Sequence, residues 1–170
     1  LDHKIQNPQS LRNQALTLSA VGQIKGHRTR KWYNNIEIQM RYNMIQEFKH
    51  TTNKSFEVTI TDLKEALMQA KFGTLCQINM HEKFKDKGID FDGKITILEI
   101  CNPFEAFAAI NIHPQAIYFL PCKFVVKEDN GVRVIEMIKP SSLMNLLEEP
   151  KLIELAVKVE TALINAAITV

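Results

Sequence analysis

The sequence predicts an α+β fold, and two observations carry that prediction. Strand-like and helix-like segments alternate irregularly along the chain, without the regular βαβ rhythm that a parallel doubly wound sheet requires. One pair of strand-like runs is joined by Asn130-Gly131, a dipeptide suited to a two-residue antiparallel hairpin. The chain has 170 residues, enough for one domain with a substantial core, and its 45% hydrophobic and 24% charged residues are ordinary for a globular protein.

Asn7-Pro8 combines a helix-capping residue with proline at the first helical position, and Leu11, Ala15 and Leu18 follow at helical spacing before Gly22. Gly26 to Tyr33 reads as a basic loop with two aromatics. From Ile36 the pattern alternates, Ile36, Ile38, Met40, Tyr42 and Met44 against Glu37, Gln39, Arg41 and Asn43. That is a half-buried strand reaching toward Phe48. Phe56, Ile60, Leu63 and Leu67 form a helical stripe, with Ser55 placed to cap it and Gly73 to end it in the left-handed conformation. Residues 74–80 read as a strand with Cys76, Ile78 and Met80 on its core face. His81 to Lys87 is a short helix closed by Gly88.

Residues 94–101 form a β-branched strand. Asn102-Pro103 restarts a helix, with Phe104, Phe107, Ala108 and Ile112 expected inward. Residues 116–127 are strand-like, with Pro121 marking an edge or a bulge. The hairpin places Val126 opposite Ile135 and Phe124 opposite Met137, so both strands put their apolar residues on one face. Pro140 ends the second of these strands. Glu149 to Ile168 is a helix with Leu152, Leu155, Ala156, Val159 and Leu163 inward.

Charge divides the chain. Residues 1–43 hold seven Lys/Arg against two acidic residues, and the remaining 127 hold fourteen against seventeen, which gives +5 and −3. Residues 1–43 are therefore read as a basic N-terminal extension, either a solvated arm or a targeting segment, and residues 44–170 as a single domain. No apolar run approaches 18 residues, so no membrane span is expected. Three cysteines do not make a disulfide scaffold and point to a reducing, cytoplasmic setting.

Gly88 to Glu99 nearly fits a calcium-loop template, with Asp90, Asp92, Gly93 and Glu99 in place. Gly88, however, stands where the first oxygen ligand is required, so a polar turn feeding a strand is expected. There is no Walker loop, Gly-x-Gly-x-x-Gly run or nucleophile elbow, and the five histidines are scattered. No cofactor and no catalytic class are indicated.

The constellation placed for chemistry is Cys101-Asn102-Pro103 with Leu120-Pro121-Cys122. Asn102 is a natural N-cap and Pro103 a natural first helical residue, so Cys101 sits at a helix N-terminus, where unpaired N–H groups stabilise a thiolate. Cys101 is the better candidate nucleophile. Cys122 is in phase with Tyr118, Leu120, Phe124 and Val126, the inward face of its strand. The alternative is that both are core cysteines acting as small hydrophobes. Zinc wants four ligands, and His81 and His113 are the nearby candidates in sequence, neither in a paired motif, so no metal site is assigned.

From about Met44 to Val170 the chain resembles the family called domain of unknown function 302. The resemblance rests on Asn53-Lys54-Ser55-Phe56, Lys71-Phe72-Gly73, Ile100-Cys101-Asn102-Pro103, Tyr118-Phe119-Leu120-Pro121-Cys122 and Lys139-Pro140, in that order. It implies a fold like that of the TATA-binding protein, a curved antiparallel sheet against two main helices in β-α-β-β-β-β-α order. It also implies a homodimer, and it brings no established activity.

The leading functional expectation is a small dimeric binding or interaction domain. Its ligand, a small molecule, is unidentified, and Asn102, Pro103 and Pro121 are the candidate contacts beside the two thiols. The first alternative is a thiol-dependent redox or sulfur-handling protein using Cys101 and Cys122. The second is nucleic-acid contact through the four cations of residues 25–33, disfavoured because the domain itself is mildly acidic.

Overall fold

The computed structural model describes residues 46–129 and 131–170. The helix expected after Asn7, the basic loop and the alternating run Ile36–Met44 lie outside the described residues. In chain order the elements are β1 (Glu47–Thr52), α1 (Phe56–Gln69), β2 (Gly73–Asn79), α2 (Met80–Lys85), β3 (Lys94–Cys101), α3 (Pro103–Ile112), a 3-10 helix (Pro114–Phe119), β4 (Cys122–Asp129), β5 (Val132–Ile138), α4 (Pro140–Met144), a 3-10 turn (Asn145–Leu147) and α5 (Pro150–Ala167). The five strands form one curved antiparallel sheet in the order β1-β5-β4-β3-β2. The fold class is α+β, with α1 and α5 in the two main helical positions and short helices inserted between strands. Among the described residues no helix is long and apolar enough to cross a membrane.

Local chemistry explains the boundaries. Ser55 caps α1, its hydroxyl accepting from Val58 N at 3.3 Å. The end of α1 differs from expectation. Lys71, not Gly73, takes the left-handed conformation (φ 69°). Phe72 N donates to Leu67 O and Lys71 N to Met68 O, both at 2.9 Å, the paired bonds of a Schellman cap. Gly73 instead opens β2, directly opposite Cys101. Gly88 closes α2 with φ 69°, as its position suggests. The hairpin register is the one read from Asn130-Gly131: Val126 faces Ile135 and Phe124 faces Met137.

The main core lies between the sheet and two helices. Leu98, Ile100, Phe124, Val126, Ile135 and Met137 meet Phe56, Ile60, Leu63 and Leu67 of α1 and Leu163, Ala166 and Ala167 of α5. Truncating a fully buried leucine such as Leu63 costs roughly 2–5 kcal/mol. A smaller second cluster joins Ala109 of α3, Ala116, Met144, Leu152 and Ala156. The opposite sheet face carries Ile78, Ile97 and Val125 in one cross-strand row. Lys123–Glu99 (3.6 Å) and Lys127–Glu136 (2.9 Å) pair on that same face.

Inward assignments in three segments are overturned. Cys76 is exposed, because a bulge between Thr74 and Cys76 adds one residue to β2. Cys76 therefore pairs with Glu99 on the outer face rather than with buried Leu98. Phe104 and Phe107 point outward, 86% and 68% exposed, while Ala109 is the buried residue of α3. Ala109 packs into the second cluster beside Ala116, Met144, Leu152 and Ala156, so the alanine side of α3 faces inward. Tyr118 belongs to the 3-10 helix and is also exposed. Strand β4 begins only at Cys122, so Pro121 precedes a central strand and marks neither an edge nor a bulge.

Candidate functional site

The sheet register brings the two cysteine motifs together. Cys122, the first residue of β4, is the cross-strand partner of Ile100, so Cys101 is one residue from direct opposition. Both cysteines are free and half-buried. Both line one small, partly open apolar cavity of about 40 Å³, bordered by the ends of β3 and β4 and by α3, α4 and α5. Ile100, Leu120, Met144, Leu152 and Ala156 supply apolar wall. Asn102 and Glu105 are the polar side chains on it. A space of this size admits a few waters or one ion, and is far below the roughly 300 Å³ of an ordinary ligand pocket.

The helix N-terminus does not offer Cys101 what its position suggests. Pro103 has no N–H. Asn102 Oδ1 accepts from Phe104 N at 3.0 Å and from Glu105 N at 3.5 Å. Ala106 N donates to Asn102 O at 3.0 Å. The donors of the first turn are thus committed within the helix, and burial pushes the Cys101 thiol above its ordinary pKa. Cys122 is pushed up to about 11, first by burial and then by the nearby Cys101, with Lys123 acting weakly in the other direction. Both thiols are protonated at neutral pH, the opposite of an activated nucleophile.

The other candidates separate. Asn102 lines the cavity but spends its side chain on the cap. Pro103 is exposed and borders neither space near the thiols. Pro121, following a cis peptide from Leu120, lines a larger neighbouring cleft of about 390 Å³ with Cys122, Tyr118, Lys123 and Glu136. Cys122 and Met144 are common to both spaces. His81 lies elsewhere, its Nδ1 within 3.2 Å of Ile95 N and 3.0 Å of Ile95 O. His113 caps the end of α3, as its position before Pro114 suggests. Among the described residues no three His, Cys, Asp or Glu side chains converge in a metal-binding group.

Sequence reasoning missed Met144 and Glu105. Pro140, expected only as the end of β5, also opens α4, the element that brings Met144 to the cavity of the cysteines, and no pattern marks that return. Glu105 is held away from chemistry by Lys158 at 2.9 Å.

With this geometry in place, comparison with known proteins decides the family. The sequence pattern of the domain of unknown function DUF302 matches residues 48–170. The chain belongs to the DUF302 family. The crystal structure of an uncharacterized conserved DUF302 protein from Bacillus stearothermophilus is similar to it, at 38% identity and a TM-score of 0.69. The match covers 71% of this chain and 94% of that one. No curated protein matches the chain. The DUF302 match begins at Phe48, in β1, and takes in both cysteine motifs and the wall of the cavity between them.

Proposed function

We propose that this DUF302 chain is a small binding module that works as a homodimer, with the outer face of α3 joining two copies. The observation that carries this reading is the exposure of Phe104 and Phe107, one helical turn apart. Large aromatics bared on adjacent turns are a mark of interaction surfaces. Helix α3 has one charged residue, Glu105, already paired with Lys158, so two such faces meet about a two-fold axis without like-charge repulsion. The outer face of the curved sheet, with Ile78, Ile97 and Val125 in one row, is the surface left for a ligand. The three free thiols suit a reducing, cytoplasmic setting.

The test is the mass in solution by light scattering, for the wild type and for Phe104→Asp/Phe107→Asp. Twice the chain mass for the wild type and a folded monomer for the variant support the proposal. A monomeric wild type, or a variant that stays dimeric, overturns it.

The thiol-dependent reading has one observation in its favour, the shared cavity of Cys101 and Cys122. Burial acts against both thiolates. Rapid native-state alkylation of Cys101 at neutral pH is the result that would promote it. Nucleic-acid contact rests on residues 25–33, which lie outside the described residues, and a salt-dependent gel shift tests it.

A further inference from the structure

We infer that the cavity between β3, β4 and α4 is a binding site for a single soft monovalent cation of the Cu(I) or Ag(I) type, held by sulfur. Three sulfur-bearing side chains line this one space: Cys101, Cys122 and Met144. They come from three separate elements, so the tertiary fold and not a local motif assembles them. The cavity, about 40 Å³, is of ion size.

The donor chemistry selects the class of metal. Thiolate and thioether are soft ligands, and d10 monovalent ions are satisfied by two or three of them. Zinc requires four ligands from Cys, His or carboxylate, and this wall offers two thiols with neither His81 nor His113 beside them. Hard cations such as calcium or magnesium require several oxygens. The two oxygen-bearing side chains on the wall are already engaged, Asn102 by the amides of α3 and Glu105 by Lys158. What the cavity has free to offer is sulfur.

The binding step balances without any redox partner. A monovalent cation enters, each coordinating thiol releases its proton to solvent, and Met144 adds a neutral thioether. With both thiolates bound the site carries one net negative charge. Lys123, next to Cys122 in sequence and a lining residue of the adjoining cleft, is the cation nearest along the chain. Met144 is itself almost fully buried, and it borders both the cavity and the larger cleft of about 390 Å³. Cys122 and Met144 are thus shared by the two spaces, and the sulfur-lined one is itself partly open to solvent.

The experiment is an anaerobic titration of the full chain with Cu(I) presented as its bicinchoninate complex, followed by X-ray absorption of the loaded protein. The expected result is withdrawal of one equivalent of Cu(I) into an all-sulfur site. Cys101→Ser and Cys122→Ser should each weaken binding by about 100-fold, and Met144→Leu by about tenfold. Cys76→Ser, which changes the exposed cysteine of β2, should leave it unchanged. Should either serine variant fail to fold, Met144→Leu, a volume-conserving change, together with the absorption spectrum decides the matter. Failure to compete with bicinchoninate, nitrogen or oxygen donors in the spectrum, or uptake that depends on Cys76 would each overturn the assignment. The oligomeric state plays no part in this readout, so the site stands or falls separately from the proposed dimer.

Discussion

Glu160 of α5 holds Ser141 at the start of α4 through a single carboxylate oxygen. Oε2 accepts from the Ser141 amide at 3.2 Å and from the Ser141 hydroxyl, while Lys139 Nζ lies 3.8 Å from Oε1. The Glu160 side chain is only 13% exposed, so these partners substitute for water. Removing it leaves a part-buried amide and hydroxyl without an acceptor. Glu160→Ala is expected to lower unfolding stability by roughly 1–3 kcal/mol, and Glu160→Gln, which keeps an acceptor, by less. Urea unfolding midpoints compare the two.

The Asn102 cap makes a second prediction. Its carboxamide oxygen serves two amides at the start of α3, and alanine cannot replace it. Asn102→Ala should cost about 1 kcal/mol, and Asn102→Asp only a few tenths, since aspartate caps as well. Thermal melts of both variants check the order. Equal losses would show that the side chain matters for something other than the cap.

Lys71 gives a stabilising prediction. A lysine in the left-handed region carries a steric cost of about 1–2 kcal/mol that glycine avoids. Lys71 is exposed, so little contact is lost on truncation. Allowing for the added entropy of a glycine in the unfolded chain, Lys71→Gly should raise stability by roughly 0.5–1 kcal/mol. Lys71→Val should lower it. A higher denaturant midpoint for glycine and a lower one for valine is the expected pattern.

Cys122 sets a pH dependence in the metal-free protein. Its thiol moves from 9.0 to about 11 on folding, so the folded state disfavours the thiolate. Below pH 9 both states hold the proton and the contribution is fully present. Between pH 9 and 11 the unfolded chain gives up the proton first, so stability falls as pH rises, by on the order of 2 kcal/mol in all. Melting temperatures of wild type and Cys122→Ala across that window should converge as pH increases. Parallel curves would refute the assignment.

The hairpin and the two long helices were legible because each is governed by a local signal. Asn130-Gly131 fixes a register, and a stripe such as Phe56, Ile60, Leu63 and Leu67 names one face. Helix α3 was not legible, since Pro103–Ile112 is apolar nearly all round and no stripe says which side is buried. There the choice was made by tertiary packing, which seated Ala109 against the second cluster and left the phenylalanines outside. The two Pro-flanked cysteine motifs stood out in the sequence, but that Cys122 would start β4 beside the end of β3 came only with the sheet register. The loss of thiolate stabilisation at Cys101 was not legible, because it depends on how far the tertiary fold buries the thiol.

The bulge in β2 uncouples the length of that edge strand from its pattern. Leu75 is the inserted residue, 63% exposed and without a cross-strand partner among the β2–β3 pairs. A chain lacking it would still set Cys76 against Glu99 and Ile78 against Ile97, so the strand can lose a letter without changing which side chains it shows to water. Alignment of this segment by alternating hydrophobicity alone would run one residue out of step from Cys76 onward, and would assign every later side chain of the strand to the wrong side of the sheet.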